Sequence, residues 1–415
     1  MTKVDSRKLL KLVIILPVAI VVSFLAYMAH PQISAESNIT SAIGMIIVLA
    51  VAYIANSVFL INERTYIGDS SQSVGVLSLL LSYLLSIVVM FSLRMHYGLA
   101  YVFIFVALTT AWVYFVSVKF NDSIWRSKLV LAEIGNWRLL EDSSIQMVLI
   151  QDPNTFTSYK DHQLVIDYDA IISPAWKRIL AEQSVKGRPA IHTVEFYEKL
   201  YGRVPLIQAS DSYVRNSFRQ SEYLSIKRAI DILIALFAVT VLTVPMLVLT
   251  LLVRVTSSGP ALFSQPRVGK NNKIFTLYKF RTMLSDAEID GPSFAKDHDM
   301  RVTRVGRWLR HSRIDEWPQF WNVLRGDMSI VGPRPERPEW VSTFLEEIPY
   351  YGLRHTIRPG ITGWAQVRQG YAAGAKESEL KLEHDLYYLK NLSLHLDLTI
   401  IFRTVFVLGA GFGAK

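Results

Sequence analysis

The chain has 415 residues, of which 51% are hydrophobic and only 19% charged, and its mean hydropathy of +0.27 is too apolar for an ordinary soluble protein, so membrane segments are expected. The net charge of +9 suits anionic lipid, nucleic acid or phosphorylated small molecules, and the absence of cysteine excludes disulfides, thiolate metal ligands and a cysteine nucleophile. The basic residues are single arginines within structured motifs and form no Lys/Arg-rich tail, which argues against nucleic acid as the partner.

Four apolar runs open the chain, Leu9–Met28, Ala42–Ile61, Val74–Leu93 and Gly98–Val118. Each has about the 20 residues that a helix needs to cross a bilayer core. The first lacks a small-residue cleavage site and is followed by three more, so it reads as a span and not as a removable signal. Lys3, Arg7, Lys8 and Lys11 precede the bundle, Lys119, Arg126 and Lys128 follow it, and the loop His30–Thr40 has no Lys or Arg. By the positive-inside rule both ends face the cytoplasm. Asn56 in the second span reads as helix–helix glue.

From Phe120 to Ser217 the composition turns soluble. Met147–Ile150 and Leu164–Ile166 read as strands and Pro174–Gln183 and Thr193–Tyr201 as helices, which suggests a small α/β domain. It carries no Gly-rich nucleotide fingerprint. Next, Tyr223–Ser257 is apolar between Lys227-Arg228 and Arg254, with Pro245 in its middle and Thr243 just before it. A fifth spanning helix would put the basic C-terminal region outside the cell. A helix that enters the membrane, breaks at Pro245 and returns on the same face keeps both basic flanks cytoplasmic.

The remainder is mixed α/β. Lys279 and Arg281 sit in the apolar run Phe275–Met283, where alternation on a strand gives them one face. Trp308, Trp317, Trp321, Trp364, Phe320 and Tyr350 suit either an interfacial belt or core packing, with core packing the expectation for most. The densest chemistry lies in Arg301–Pro335. An acidic pair, Asp315-Glu316, follows Arg301, Arg304, Arg307, Arg310 and Arg313 and precedes Gly332-Pro333-Arg334-Pro335. Adjacent carboxylates among guanidinium groups suit a divalent metal and a phosphorylated substrate. Pro318 fits the first turn of a helix, which puts Asp315 near its N-cap, where free N–H groups favour phosphate. Asp followed by Glu is also how ordinary helices start, and spacing alone does not separate the two readings.

Several blocks in order resemble one family. They are KRAIDILIAL with Pro245, GPALFSQPRVG, FTLYKFRTM with Asp286-Ala287-Glu288, RVTRVGRWLR, IDEWPQFWNVLRGDMSIVGPRPERPE, RHTIRPGITGWAQV and HDLYYLKNLSLHLDL. From Ile226 to the C-terminus the chain is similar to the bacterial sugar transferases known as polyprenyl-phosphate hexose-1-phosphate transferases, or monotopic phosphoglycosyl transferases. HTVEFYEKLYGRVPL resembles the end of the α/β insert in the larger members. The resemblance implies residues 1–119 as a four-helix transmembrane bundle, 120–217 as a cytoplasmic α/β insert domain, 218–257 as a re-entrant membrane helix bent at Pro245, and 258–415 as a mixed α/β monotopic catalytic domain on the cytoplasmic face of the bacterial inner membrane. It implies transfer of a hexose 1-phosphate, glucose or galactose, from a UDP-sugar to undecaprenyl phosphate, opening a polysaccharide repeat. It also implies Asp315 as nucleophile, Glu316 with Asp315 at Mg²⁺, Lys279, Arg310 and Arg334 at phosphates with Arg301 and Arg304 beside them, and a homodimer. Four features depart from the pattern: Val244 stands for the usual Ser before the proline, Met300 for a Pro, Arg313 for a small residue, and the insert is short. The rivals are a membrane-anchored scaffold that binds anionic lipid without catalysis and a lipid diphosphate phosphohydrolase.

Overall fold

The computed structural model describes residues 36–62 and scattered positions elsewhere between 16 and 112, then 129–208 apart from 142, 144, 160 and 161, then 221–284, 299–369 and 375–409. It forms two compact units that meet in sequence at Tyr201 and Gly202.

In the first unit, α1 (Glu36–Asn62) is a 27-residue helix covering the second expected span. Most of Leu9–Met28, Val74–Leu93 and Gly98–Val118, and the side chain of Asn56, lie outside the described residues. The described parts of all four runs nevertheless share one cluster, in which Leu16, Ala19, Met45, Leu49, Tyr53, Leu79, Tyr83 and Phe105 are buried. Val18, Ile47, Val51, Leu84 and Val88 point outward and stay exposed. The Tyr83 hydroxyl meets Thr109 Oγ1 at 2.7 Å, so a polar pair is satisfied inside the cluster.

The insert is a parallel sheet of β1 (Leu129–Ala132), β2 (Met147–Ile150), β3 (Gln163–Ile166) and β4 (Ile191–His192), in the order β2-β1-β3-β4. Alternation along β1 divides the core. Leu129 and Leu131 pack with α3 (Thr193–Tyr201) through Phe196 and Leu200. Val130 and Ala132 pack on the other face with Trp176 of α2 (Pro174–Val185). Both faces of a parallel sheet are therefore covered. Ser173 caps α2 by accepting the Trp176 N–H, with Pro174 in the first helical turn. The strands and helices expected here are present. β1 and the two-residue β4 are additional strands.

In the second unit, α4 (Ser221–Thr256) runs for 36 residues with Pro245 inside it. The chain stays helical on both sides of Pro245, the position at which a bend is expected. The proline removes one backbone hydrogen bond, and just before it Thr243 Oγ1 donates to the Val239 carbonyl at 2.6 Å, as Thr240, Thr250 and Thr256 do to the carbonyls four residues before them. Among the described residues this is the one helix long and apolar enough to cross a membrane. Leu233, Phe237, Val244, Leu247, Leu251 and Val255 are each 65% exposed or more, the reverse of a soluble core helix.

Both ends of α4 nevertheless pack on the mixed α/β domain. Near its start, buried Lys227 pairs with Asp397 at 2.6 Å, and Asp231 accepts from Ser329 Oγ (2.8 Å) and the Ile330 N–H (3.0 Å). Near its end, Leu249 and Val253 share a cluster with Phe280 and Leu309. The domain consists of an antiparallel pair, β5 (Leu262–Val268) and β6 (Ile274–Phe280), helices α5 (Arg304–His311) and α6 (Gln319–Arg325), strand β7 (Ser329–Val331), helix α7 (Pro338–Glu347), strand β8 (Gly360–Thr362), and helices α8 (Trp364–Arg368), α9 (Ala375–Lys390) and α10 (Leu394–Gly409). β7 and β8 pair in parallel. Gly306 lets α5 lie on the chain after β6, since a Cβ there would meet the Thr282 carbonyl oxygen at 2.0 Å. Of the aromatics, Trp364 is fully buried, as core packing requires, whereas Trp308 and Trp321 are half exposed.

Candidate active site

Asp315 and Glu316 lie in a short 3-10 turn, Ile314–Glu316, between α5 and α6. The N-cap expectation is corrected: Pro318 holds the cap position of α6, and Asp315 does no capping. Its Oδ1 is buried without a hydrogen-bond partner among the described residues. The routine explanation for an acidic residue before a helix therefore does not apply. Arg313 leads into this turn in the left-handed conformation (φ 56°), which a non-glycine residue adopts only at some cost in strain.

Glu316 is the electrostatic hub. Its Oε1 takes Lys279 Nζ at 3.1 Å, Arg334 at 3.3 Å and Arg313 at 3.4 Å. Lys279 arrives from β6 and Arg334 from the loop after β7. That loop is pinned from both sides: the Gly332 N–H donates to the Thr362 carbonyl, the Gly360 N–H to the Pro333 carbonyl (both 2.9 Å), and buried Arg354 to the Arg334 carbonyl (2.9 Å). Arg354 is itself held by Asp385 at 2.9 Å, and Lys381 pairs with Glu336 at 2.8 Å. Burial pushes both acidic side chains toward protonation. For Glu316 the charges of Lys279, Arg334 and Arg313 outweigh it and hold the carboxyl well below its usual range. For Asp315, burial and then the neighbouring Glu316 charge prevail over Lys279, Arg313 and Arg310, and its pKa is raised. Burial also lowers Lys279, against the pull of Glu316.

Of the residues expected at phosphates, Lys279 and Arg334 come together on Glu316. Arg310 is steered by its Nε–H to Thr282 Oγ1 (2.8 Å), and its charge bears on Asp315. Arg301 and Arg304 do not join them. Arg301 forms a two-point pair with Asp299 (2.9 and 2.6 Å), and Arg304 stands exposed on the first residue of α5. Arg281 also departs from the shared-face expectation, because β6 ends at Phe280. Its guanidinium turns to the Pro260 and Ser257 carbonyls, tying down the end of α4. Sequence reasoning assigned no role to Thr282 or Gln366. Gln366 on α8 accepts from Arg334 through Oε1 at 3.1 Å, and lay unassigned within a block already quoted. Asp286-Ala287-Glu288 is outside the described residues.

Four cations thus face two carboxylates, a surplus suited to a diphosphate. The buried, unpartnered oxygen of Asp315 beside the Glu316 carboxylate also fits a hard divalent cation, which takes oxygen ligands.

A second ligand-like group lies in the insert. Asp167, Asp169 and His192 bring one ligand atom each within 4.8 Å of one another. Its hydrogen bonds argue against a metal. The Val194 N–H donates to His192 Nδ1 at 3.2 Å, so the ring proton sits on Nε2, which faces Asp167 (3.1 Å) and Asp169 (3.3 Å). A protonated Nε2 cannot ligate. Asp167 also accepts both the backbone and side-chain N–H of Asn136 at 2.9 Å. The trio reads as a hydrogen-bonded clip at the carboxyl edge of the sheet.

Comparison with known proteins covers both units. A sequence profile described as bacterial sugar transferase matches residues 222–411. The UDP-N-acetylgalactosamine-undecaprenyl-phosphate N-acetylgalactosaminephosphotransferase of Aeromonas hydrophila is 38% identical over 88% of this chain and 86% of its own length. The UDP-glucose:undecaprenyl-phosphate glucose-1-phosphate transferase of Klebsiella pneumoniae is 41% identical over 43% of this chain and 39% of its own, and the Caulobacter vibrioides protein of the same name is 45% identical over 43% and 68%. The Aeromonas match runs through the N-terminal region and insert as well as the half that carries the acidic turn, and on that coverage the chain belongs to the bacterial sugar transferase family.

Proposed function

We propose that this protein transfers a sugar 1-phosphate from a UDP-sugar to undecaprenyl phosphate. The observation that carries the reading is the pairing of opposites in one turn. Asp315 has a buried carboxylate oxygen with no partner among the described residues, while Glu316 beside it is clamped by three cations. Asp315 Oδ1 attacks the sugar-bearing phosphorus of the donor. The bond from that phosphorus to the bridging oxygen breaks, and UMP leaves with the electron pair. The resulting aspartyl phosphosugar is then attacked by a phosphate oxygen of undecaprenyl phosphate, which frees the Asp315 carboxylate and forms undecaprenyl-diphosphate sugar. Phosphoryl transfer depends on positioning and charge neutralisation, and here Lys279, Arg310, Arg313 and Arg334 provide both. A carboxylate nucleophile divides transfer between a soluble donor and a lipid acceptor into two steps at one site. Asp315 and Glu316 would hold Mg²⁺, which would neutralise phosphate charge there.

The membrane arrangement follows the same reading. Four N-terminal spans anchor the chain, and α4 dips into the cytoplasmic face and returns, bent at Pro245. The exposed apolar face of α4 and the packing of both its ends on one domain support this. Placed so, the acidic turn sits at the height of the lipid phosphate. The relative covering most of the chain is named for N-acetylgalactosamine and those matching the C-terminal half for glucose, so UDP-N-acetylgalactosamine and UDP-glucose are the first donors to test, with UDP-galactose beside them. Membranes containing the protein, given undecaprenyl phosphate, Mg²⁺ and each labelled UDP-sugar, should release UMP and move label into the lipid phase. If no sugar of the panel does so, the transfer reading fails. Release of phosphate from a lipid diphosphate would instead favour a hydrolase.

A further inference from the structure

Gln366 is held in an unusual position. Its helix α8 begins at Gly363, where a Cβ would meet the Gly332 carbonyl oxygen at 2.2 Å, so α8 abuts the loop that carries Arg334. The helix is fixed by fully buried Trp364, whose indole N–H donates to the Gly202 carbonyl at 2.6 Å. From this rigid base Gln366 turns its Oε1 to Arg334. A guanidinium has only donors, so the amide must face it oxygen first, and its nitrogen must face away. That nitrogen is buried and has no acceptor among the described residues. A buried donor left unmatched is costly and calls for an explanation.

We propose that Gln366 is a donor-binding residue, its amide nitrogen donating to a phosphoryl oxygen of the nucleotide sugar while its carbonyl orients Arg334. This rests on the transfer reading above. Arg334 bridges the two halves of the site, with one nitrogen on Gln366 and the other on Glu316. An anion bound against Arg334 therefore comes within reach of the amide on its flank. A phosphoryl oxygen suits a lone N–H₂ group because it accepts only, whereas a sugar hydroxyl would bring a donor of its own.

Two substitutions separate the halves of the amide. Gln366→Glu keeps an acceptor for Arg334, which also neutralises the new charge, but removes the donor. Gln366→Met removes both. With the full-length protein in membranes, kcat/KM for the UDP-sugar should fall about tenfold or more in both variants. If Gln366→Glu stays within about threefold of wild type, the amide donor is not used and the proposal is overturned, whether or not Gln366→Met falls. Should Gln366→Met lose its thermal transition, Gln366→Glu alone decides. A wild-type protein that releases no UMP refutes the transfer reading itself, a result distinct from an active enzyme indifferent to Gln366→Glu.

Discussion

Two of the acidic clusters with basic neighbours among the described residues, around Asp167 and around Asp315, differ in what they leave unsatisfied. At Asp167, every feature is internal: His192 and Asn136 occupy its oxygens, and the imidazole keeps its proton on the shared edge. At Asp315, the adjacent Glu316 absorbs the cations and the aspartate oxygen stays buried and unmatched. Ligand-like spacing would have favoured the insert. The hydrogen-bond inventory favours the turn, because a group that has already found its partners has nothing to offer a substrate.

The comparison breaks most directly at Asp315. Replacing it with Asn should cut UMP release by more than about a thousandfold, since a carboxamide is no nucleophile at phosphorus. The melting temperature should hold or rise, because the change removes a buried carboxylate that repels Glu316. Loss of folding in Asp315→Asn would contradict the picture of an unpartnered group.

Glu316→Ala should abolish transfer and also destabilise, by about 2–3 kcal/mol, as three cations lose their partner. The figure sits low because Arg313 and Arg334 are 34% and 30% exposed and water screens them. A denaturant titration reporting no change would show that the clamp is not a structural element.

Histidines sharpen the same contrast. His355 and His384 lie in the C-terminal unit with Nδ1 against Asn272 Oδ1 (2.6 Å) and the Gly202 carbonyl (3.0 Å). Burial lowers both to about 4 from 6.5, so the unfolded chain binds more protons through that window. Stability should rise as pH climbs from 4 to 6.5 and level off above it, with a slope of up to about 1.4 kcal/mol per pH unit for each histidine. Melts across this range should lose most of that slope in the double variant His355→Gln, His384→Gln.

The smallest effect belongs to the insert. Asp167→Ala should cost about 1–3 kcal/mol of insert stability and leave kcat within about twofold of wild type. Added Zn²⁺ or Mn²⁺ should not raise the wild-type melting temperature. A metal-dependent rise would reinstate the trio as a metal site.

Much of the plan was legible in sequence because it depends on local pattern. The apolar run of α4, the strands β2 and β3 and both helices of the insert, and the basic residues around Asp315-Glu316 all follow from periodicity and motif spacing, and Lys279 and Arg334 fall where the motifs imply. Three-dimensional pairing decided the rest. Arg301, a candidate beside the matched Arg334, pairs with Asp299 instead, and Arg281 left its strand face for the Ser257 carbonyl. Gln366 acquired meaning only when α8 was brought against the Arg334 loop. Sequence determines which charges are available and on which element each rides. Which of them meet, and which polar atom remains without a partner, depends on short-range contacts between elements far apart in the chain, and only the tertiary structure sets those distances.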